Sequence, residues 1–354
     1  MTPPDSSLPP PADSAPREWK HVTVVFQDPP SQAPRPPRKQ LYLAIALFIV
    51  TLFFTLAAGA QFAAAYSQNQ ALSIDEFIRS LKLLVQDPLA LRTGLPFALT
   101  LMGILLAHEL GHWFACRHHG IRSSYPLFIP APTLIGTLGA FILIRSPIRH
   151  RRALFDVGAS GPIVGFCLAL PALAWGILHA KDVPGLTSRS ELVFGAPAVL
   201  QIFASILRPG VPVHNLLLHP IGRAAWAGLF ATALNLLPAG QLDGGHILRA
   251  VSERWHRRFS LLLPLCIAPL GYFLWGSWYL WAALLLLFRF LRPAPILHDP
   301  KPLDTPRLFV AASALLIFLL CFMPAPVREP KQSGVMLPQS LPLHLRLTAP
   351  MRSV

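Results

Sequence analysis

The sequence predicts an all-α polytopic membrane protein with six or seven transmembrane helices. Three observations carry that prediction. The 354 residues are 53% hydrophobic and only 13% charged, with a mean hydropathy of +0.50, a composition foreign to soluble domains. Apolar runs long enough to cross about 30 Å of hydrocarbon recur along the chain. Basic residues cluster beside those runs, where they act as topology determinants. The net charge of +14 is therefore not read as a nucleic-acid surface. The expected surroundings are a lipid bilayer.

The elements follow in chain order. Residues 1–40 are rich in proline and polar residues and read as a flexible cytoplasmic tail, with Trp19–Phe26 as its one strand-like patch. The late, long apolar run after it excludes a signal peptide, and Asp5, Asp13, Glu18 and Asp28 argue against a transit peptide. Residues 41–93 hold the first span, Tyr42–Tyr66, and an outer loop. Residues 94–258 form the membrane core, with spans at Leu95–Cys116, Val157–Leu178 and Ala224–Leu242. Residues 259–327 carry the run Phe259–Phe288 and a last span, Leu308–Val327; residues 328–354 are a second flexible tail. Phe259–Phe288 is too long for one simple crossing. It is either one helix bent at Pro264 and Pro269 or two helices turning near Gly276-Ser277, and the second reading keeps the later arginines inside.

Arg35, Arg38 and Lys39 place the N-terminus in the cytoplasm. Alternation then puts Arg117 to Arg152 and Arg249 to Arg258 on the same side. The four cysteines, Cys116, Cys167, Cys266 and Cys321, lie in or beside apolar segments without the spacing of a metal clamp, and read as packing residues.

The second span contains His108-Glu109-Leu110-Gly111-His112, and Glu109 is the only acid or strong base in Pro96–Cys116. Ionisable groups at such depth call for a functional explanation. In the pattern H-E-x-x-H the two imidazoles share one helix face and reach a single Zn²⁺, with the carboxylate beside it. A catalytic zinc site of three protein ligands needs one more. Asp243 is the candidate, at the end of the charge-free run Ala224–Leu242. His108 precedes Arg117 by nine residues, roughly 13 Å along a helix, so the two half-sites meet at similar depth below the cytoplasmic surface.

His108-Glu109-x-x-His112, followed by Asn235-Leu-Leu-Pro238-Ala-Gly240-Gln-Leu242-Asp243-Gly244, resembles the site-2 protease family of intramembrane zinc metalloproteases. The segment Gly158-Ala-Ser-Gly161-Pro162 resembles the family's small-residue segment between the motifs. The resemblance covers residues 94–250 closely and the flanks loosely. Gly240 departs from it where many members have a second proline, which is expected to relax the loop before Asp243.

The resemblance implies a zinc metalloendopeptidase with one Zn²⁺ per chain, held by His108, His112 and Asp243. Glu109 would be the general base, and Asn235 would donate its amide to the tetrahedral oxyanion. The substrate would be a transmembrane protein, locally unwound at the bond that is cut. The membrane would be a bacterial inner (plasma) membrane, with the active site toward the cytoplasm.

Between the second and third spans, Tyr125-Pro-Leu-Phe-Ile-Pro-Ala-Pro and Gly139-Ala-Phe-Ile-Leu-Ile look extended around a turn at 136–139. This segment is either an ordinary cytoplasmic loop or, by the resemblance, a membrane-dipping β-hairpin offering an edge to substrate. Gly158 and Gly165 read as packing residues, and His118 and His119 as surface histidines. His246 reads as an interfacial residue or a support to the ligands, and Gly244-Gly245 as a point of close helix approach. The outer loop Lys181–Gly222 is partly apolar, and no soluble peptide-binding module fits in the loops.

Competing readings are a membrane metal transporter, a zinc protease with a glutamate as third ligand, and an inactive scaffold. A transporter would spread metal-binding groups over more helices. No later glutamate lies in a suitable segment, and the intact Glu109 argues against a scaffold.

Overall fold

The computed structural model describes residues 36–70, 89–187, 190, 192–290 and 302–328. The two terminal tails, including Trp19–Phe26, lie almost wholly outside these residues. Helices dominate: α1 (Arg38–Ser67), α2 (Leu95–His118), α3 (Arg151–Leu178), α4 (Ala198–Leu207), α5 (Pro220–Asn235), α6 (Asp243–Val251), α7 (Glu253–Phe273), α8 (Trp278–Phe290) and α9 (Thr305–Cys321). Among the described residues α1, α2 with its leading 3₁₀ turn, and α3 are long and apolar enough to cross a membrane.

Large apolar side chains on the outside mark these as helices built for a non-aqueous solvent. Tyr42, Leu43, Ile49 and Leu99 are all more than half exposed, a pattern water would penalise and lipid does not. The buried threonine hydroxyls of α1 are satisfied within the helix. Thr51 Oγ1 donates to Leu47 O and Thr55 Oγ1 to Thr51 O, as burial without water requires.

The core is α3, packed on α2, α5 and α6. Leu101, Ile104, Leu173, Ile177, Ala225 and Leu229 are essentially fully buried within it. A second cluster, with Leu237, Ile267, Trp278 and Leu285, fastens the later helices to the chain just after α5. The run 259–288 is two helices, α7 and α8, joined through residues 274–277, and Pro264 and Pro269 lie inside α7 without ending it. Trp278 is fully buried and donates its indole N–H to Pro324 O at 2.7 Å.

Two predicted spans end early. Ala224–Leu242 is helical only to Asn235, because Pro238 and the left-handed Gly240 (φ +61°) turn the chain. Asp243 therefore begins a helix, α6, rather than closing one. Leu308–Val327 is helical only to Cys321, and Pro324 and Pro326 favour extended backbone after it.

The chain is mostly but not purely helical. Strand β1 (Leu127–Pro130) pairs antiparallel with β2 (Thr137–Phe141), with Leu127 opposite Phe141, Phe128 opposite Ala140 and Pro130 opposite Thr137. Gly136 (φ +80°) turns the chain tightly against α1. Two short ladders organise the opposite end: β3 (Lys181–Asp182) with β5 (Leu216–Leu217), and β4 (Val193–Phe194) with β6 (Val327–Arg328). The β4–β6 ladder puts the end of α9 beside the loop that follows α3.

The start of α9 is fixed at the other end. Arg307 donates through Nε at 2.8 Å and Nη2 at 2.6 Å to the Asp156 carboxylate on α3, and Asp156 Oδ2 also meets His119 Nε2 at 2.8 Å. Asp304 caps α9 and binds the same arginine. His119, expected at the surface, is thus a partly buried partner in this network. We predict that Arg307→Met lowers the stability of the purified protein by about 1.5–3 kcal/mol, read as a fall in unfolding midpoint. An unchanged midpoint would mean that the network does not hold α9.

Candidate active site

Helix α2 places His108 and His112 one turn apart on the face toward α3, and α6 brings Asp243 to the same point. His108 Nε2 and His112 Nε2 are 3.1 Å apart, and each lies 3.2 Å from Asp243 Oδ2. A tetrahedral ion with bonds near 2.0 Å spaces its ligands by about 3.3 Å, so the three atoms already have the spacing of one face of such a site. Among the described residues this is the one group of three or more His, Cys, Asp or Glu side chains close enough to hold a metal ion. Both histidines are 5% exposed or less.

The environment fixes which nitrogen faces the centre. His112 Nδ1 donates to Val157 O at 2.6 Å, so in the neutral ring the Nε2 lone pair is left toward His108 and Asp243. Val157 belongs to α3, whose helical glycines make room for the rings. A Cβ on Gly161 would lie 2.1 Å from His112 Nε2. One on Gly165 would lie 3.1 Å from His108 Nδ1, and one on Gly158 2.9 Å from His246 Cβ. Gly161 and Gly165 therefore face the two rings, so the expectation that Gly165 serves packing alone is corrected, whereas Gly158 does pack, against the start of α6. The glycines' spacing of three and four residues, one helix face, is the signal that the sequence offered.

Glu109 is 4% exposed. The backbone N–H of Ile142, the residue just beyond β2, lies near its carboxylate. The β1–β2 hairpin therefore packs beside the helix that carries the site. Asn235, the last residue of α5, brings Nδ2 to 3.4 Å from His108 Nε2. All five residues singled out in the sequence, His108, Glu109, His112, Asn235 and Asp243, thus belong to one cluster.

The loop between α5 and α6 is held rather than relaxed. Gly240 donates its N–H to Ser260 Oγ at 3.0 Å and accepts from His256 Nε2 at 3.0 Å. Both partners lie on α7 and are buried. Burial also lowers the pKa of His256, keeping it neutral. Proline could supply neither the N–H nor the positive φ found here. Gly244-Gly245 admit the loop's own carbonyls, not a neighbouring helix. Cβ atoms there would lie 2.1 Å from Leu236 O and 2.6 Å from Ala239 O. His246, one turn beyond Asp243, is pushed down to about 4 by burial; it is a neutral ring packed at the α3–α6 contact. We predict that Gly240→Pro weakens metal binding by about 10–100-fold, measured by competition with a chromophoric chelator. Unchanged affinity would show that the latch does not position Asp243.

Residues 96–262 match the sequence model of peptidase family M50. The chain belongs to peptidase family M50, the site-2 protease family. Similar M50 relatives include a protein of Oryza sativa subsp. indica named probable zinc metalloprotease EGY2, chloroplastic, 33% identical over 67% of this chain and 44% of its own length. Two proteins of Arabidopsis thaliana bear similar names: EGY1, 30% identical over 65% of this chain and 43% of its own, and EGY2, 31% identical over 69% and 45%. The M50 chain therefore spans less than half the length of these relatives. No solved structure matches it.

Proposed function

We propose that this M50 chain is an intramembrane zinc metalloendopeptidase, hydrolysing a peptide bond within or near a transmembrane segment of a membrane protein. The observation that carries the reading is the convergence of His108, His112 and Asp243 around one point, with Glu109 buried beside them in an otherwise apolar core. His108 Nε2, His112 Nε2 and Asp243 Oδ2 would hold the ion. When bound, zinc acidifies water and polarises a carbonyl.

The chain's own groups do the rest. Glu109 takes a proton from the attacking water and returns it to the leaving amine. The Asn235 amide donates to the oxygen on which charge develops. Val157 O and Gly161 keep His112 in the orientation that serves the site.

The β1–β2 hairpin is the proposed route for substrate. It dips toward the site, where Leu138, Phe141, Leu143 and Ile144 are exposed and a Cβ added to Gly139 would meet nothing within 4 Å. An unwound substrate segment would add to its edge, exchanging its own helical hydrogen bonds for strand ones. Charge sets the orientation: Arg117, Arg151, Arg152, Arg257, Arg258 and Arg307 gather at the end where α2 stops and α3 and α9 start, which the positive-inside rule assigns to the cytoplasm.

The test is cleavage of a single-span reporter by the purified chain in detergent. The reading predicts cleavage that a chelator stops and added Zn²⁺ restores. Cleavage indifferent to the chelator would refute it.

A further inference from the structure

A cavity of about 270 Å³ lies at the end of the molecule away from the metal centre, between the C-terminal end of α1, the N-terminal end of α5, and α4 with the loops on either side of it. Its wall is mainly apolar, with Phe62, Leu200, Leu216 and Trp226 among the lining residues, and Arg223 reaches it. Arg223 and Asn235 stand at opposite ends of α5, twelve residues apart in sequence, or about 18 Å along the helix. The two sites are therefore separate.

Arg223 is the unusual group. Its guanidinium carbon lies 4.4 Å from the centre of the Phe194 ring. Among the described residues no acid and no hydrogen-bond acceptor meets its side chain. Other cations nearby are engaged: Lys181 Nζ donates to Tyr66 O, and Arg208 Nη1 to Leu178 O and Ala180 O. A guanidinium stays charged at any physiological pH, and holding one in an apolar recess without a partner is costly. The Phe194 ring offsets part of that cost, and among the described residues nothing takes the N–H fork.

We infer that this cavity binds an apolar molecule or chain end bearing a single carboxylate, with Arg223 as its anchor. The fork matches a carboxylate in two parallel hydrogen bonds. One guanidinium balances one negative charge, whereas a dianionic phosphate would bring a second charge against a wall that is mainly apolar, with His214 as the other titratable group among the described lining residues. The volume lies just below the usual range for ligand pockets, about 300–1,000 Å³, and so suits a group the size of one apolar residue. The carboxylate could come from a free small acid or from the C-terminus of a peptide.

The test uses the full chain in maltoside micelles, titrated with N-acetyl-leucine, its amide, and a decapeptide ending in a free leucine carboxylate, with binding read by saturation-transfer NMR. The acid is expected to bind at least about tenfold more tightly than the amide, and Arg223→Gln to abolish that difference. Val213→Trp, which narrows the cavity but keeps Arg223, is expected to lose N-acetyl-leucine while metal content stays unchanged. A decapeptide that binds more tightly than N-acetyl-leucine would support the inference with a chain end as ligand; the reverse order would support it with a free acid. Equal binding of acid and amide, retention of the preference in Arg223→Gln, absence of binding to the wild type, or tighter binding of hexyl phosphate than of hexanoate would each overturn it.

Discussion

Glu109→Gln is expected to cut reporter cleavage by about 10²–10⁴-fold while leaving the bound metal in place. The side chain is isosteric and is not among the three atoms that converge on the centre. What disappears is the ability to take and return a proton. Kinetics and zinc analysis on the same preparation separate the two effects. A variant that retains full cleavage would remove Glu109 from the mechanism, and one that also loses zinc would mean that the residue holds the metal site together.

Gly161→Ala is the second large effect, and it comes from one methyl group. The new Cβ would lie 2.1 Å from His112 Nε2 and 2.6 Å from Cε1, far inside van der Waals contact. The ring must turn away, breaking its 2.6 Å bond to Val157 O and moving Nε2 off the point shared with His108 and Asp243. Metal affinity should fall by about 100-fold or more, and cleavage with it. Gly103→Ala is the control. It lies on α2, the helix that carries both histidines, and a Cβ there meets nothing within 4 Å. That change should leave cleavage intact and alter stability by no more than about 1 kcal/mol, in the favourable direction. Equal zinc affinity in Gly161→Ala and wild type would show that α3 does not shape the ligand geometry.

Much of this site was legible in the sequence because its parts are chemical. H-E-x-x-H in an apolar helix names two ligands and an acid at once, and Asp243 stands out because acids are scarce there. The long spans were legible for the same reason, as hydrocarbon thickness dictates their length. What the sequence concealed is backbone. Val157 O and the two hydrogen bonds of Gly240 are made by main-chain groups, and no residue type advertises them. Hydropathy also carried two predicted spans too far. Leu236, Leu237 and Leu242 are as apolar as a helix interior, but Pro238 and Gly240 make that stretch a turn packed in protein. Apolar content reports burial, not backbone conformation. The glycines at 158, 161 and 165 were visible as small residues, yet only the folded helix shows His246, His112 and His108 standing over them in turn.

The central claim is that His108, His112 and Asp243 together hold one catalytic zinc. Zinc per chain, measured by elemental analysis on purified wild type and Asp243→Ala after dialysis against a weak chelator, tests it most directly. The account predicts one zinc per wild-type chain and near-complete loss in the variant. Full zinc retention in Asp243→Ala, at wild-type affinity, would contradict it.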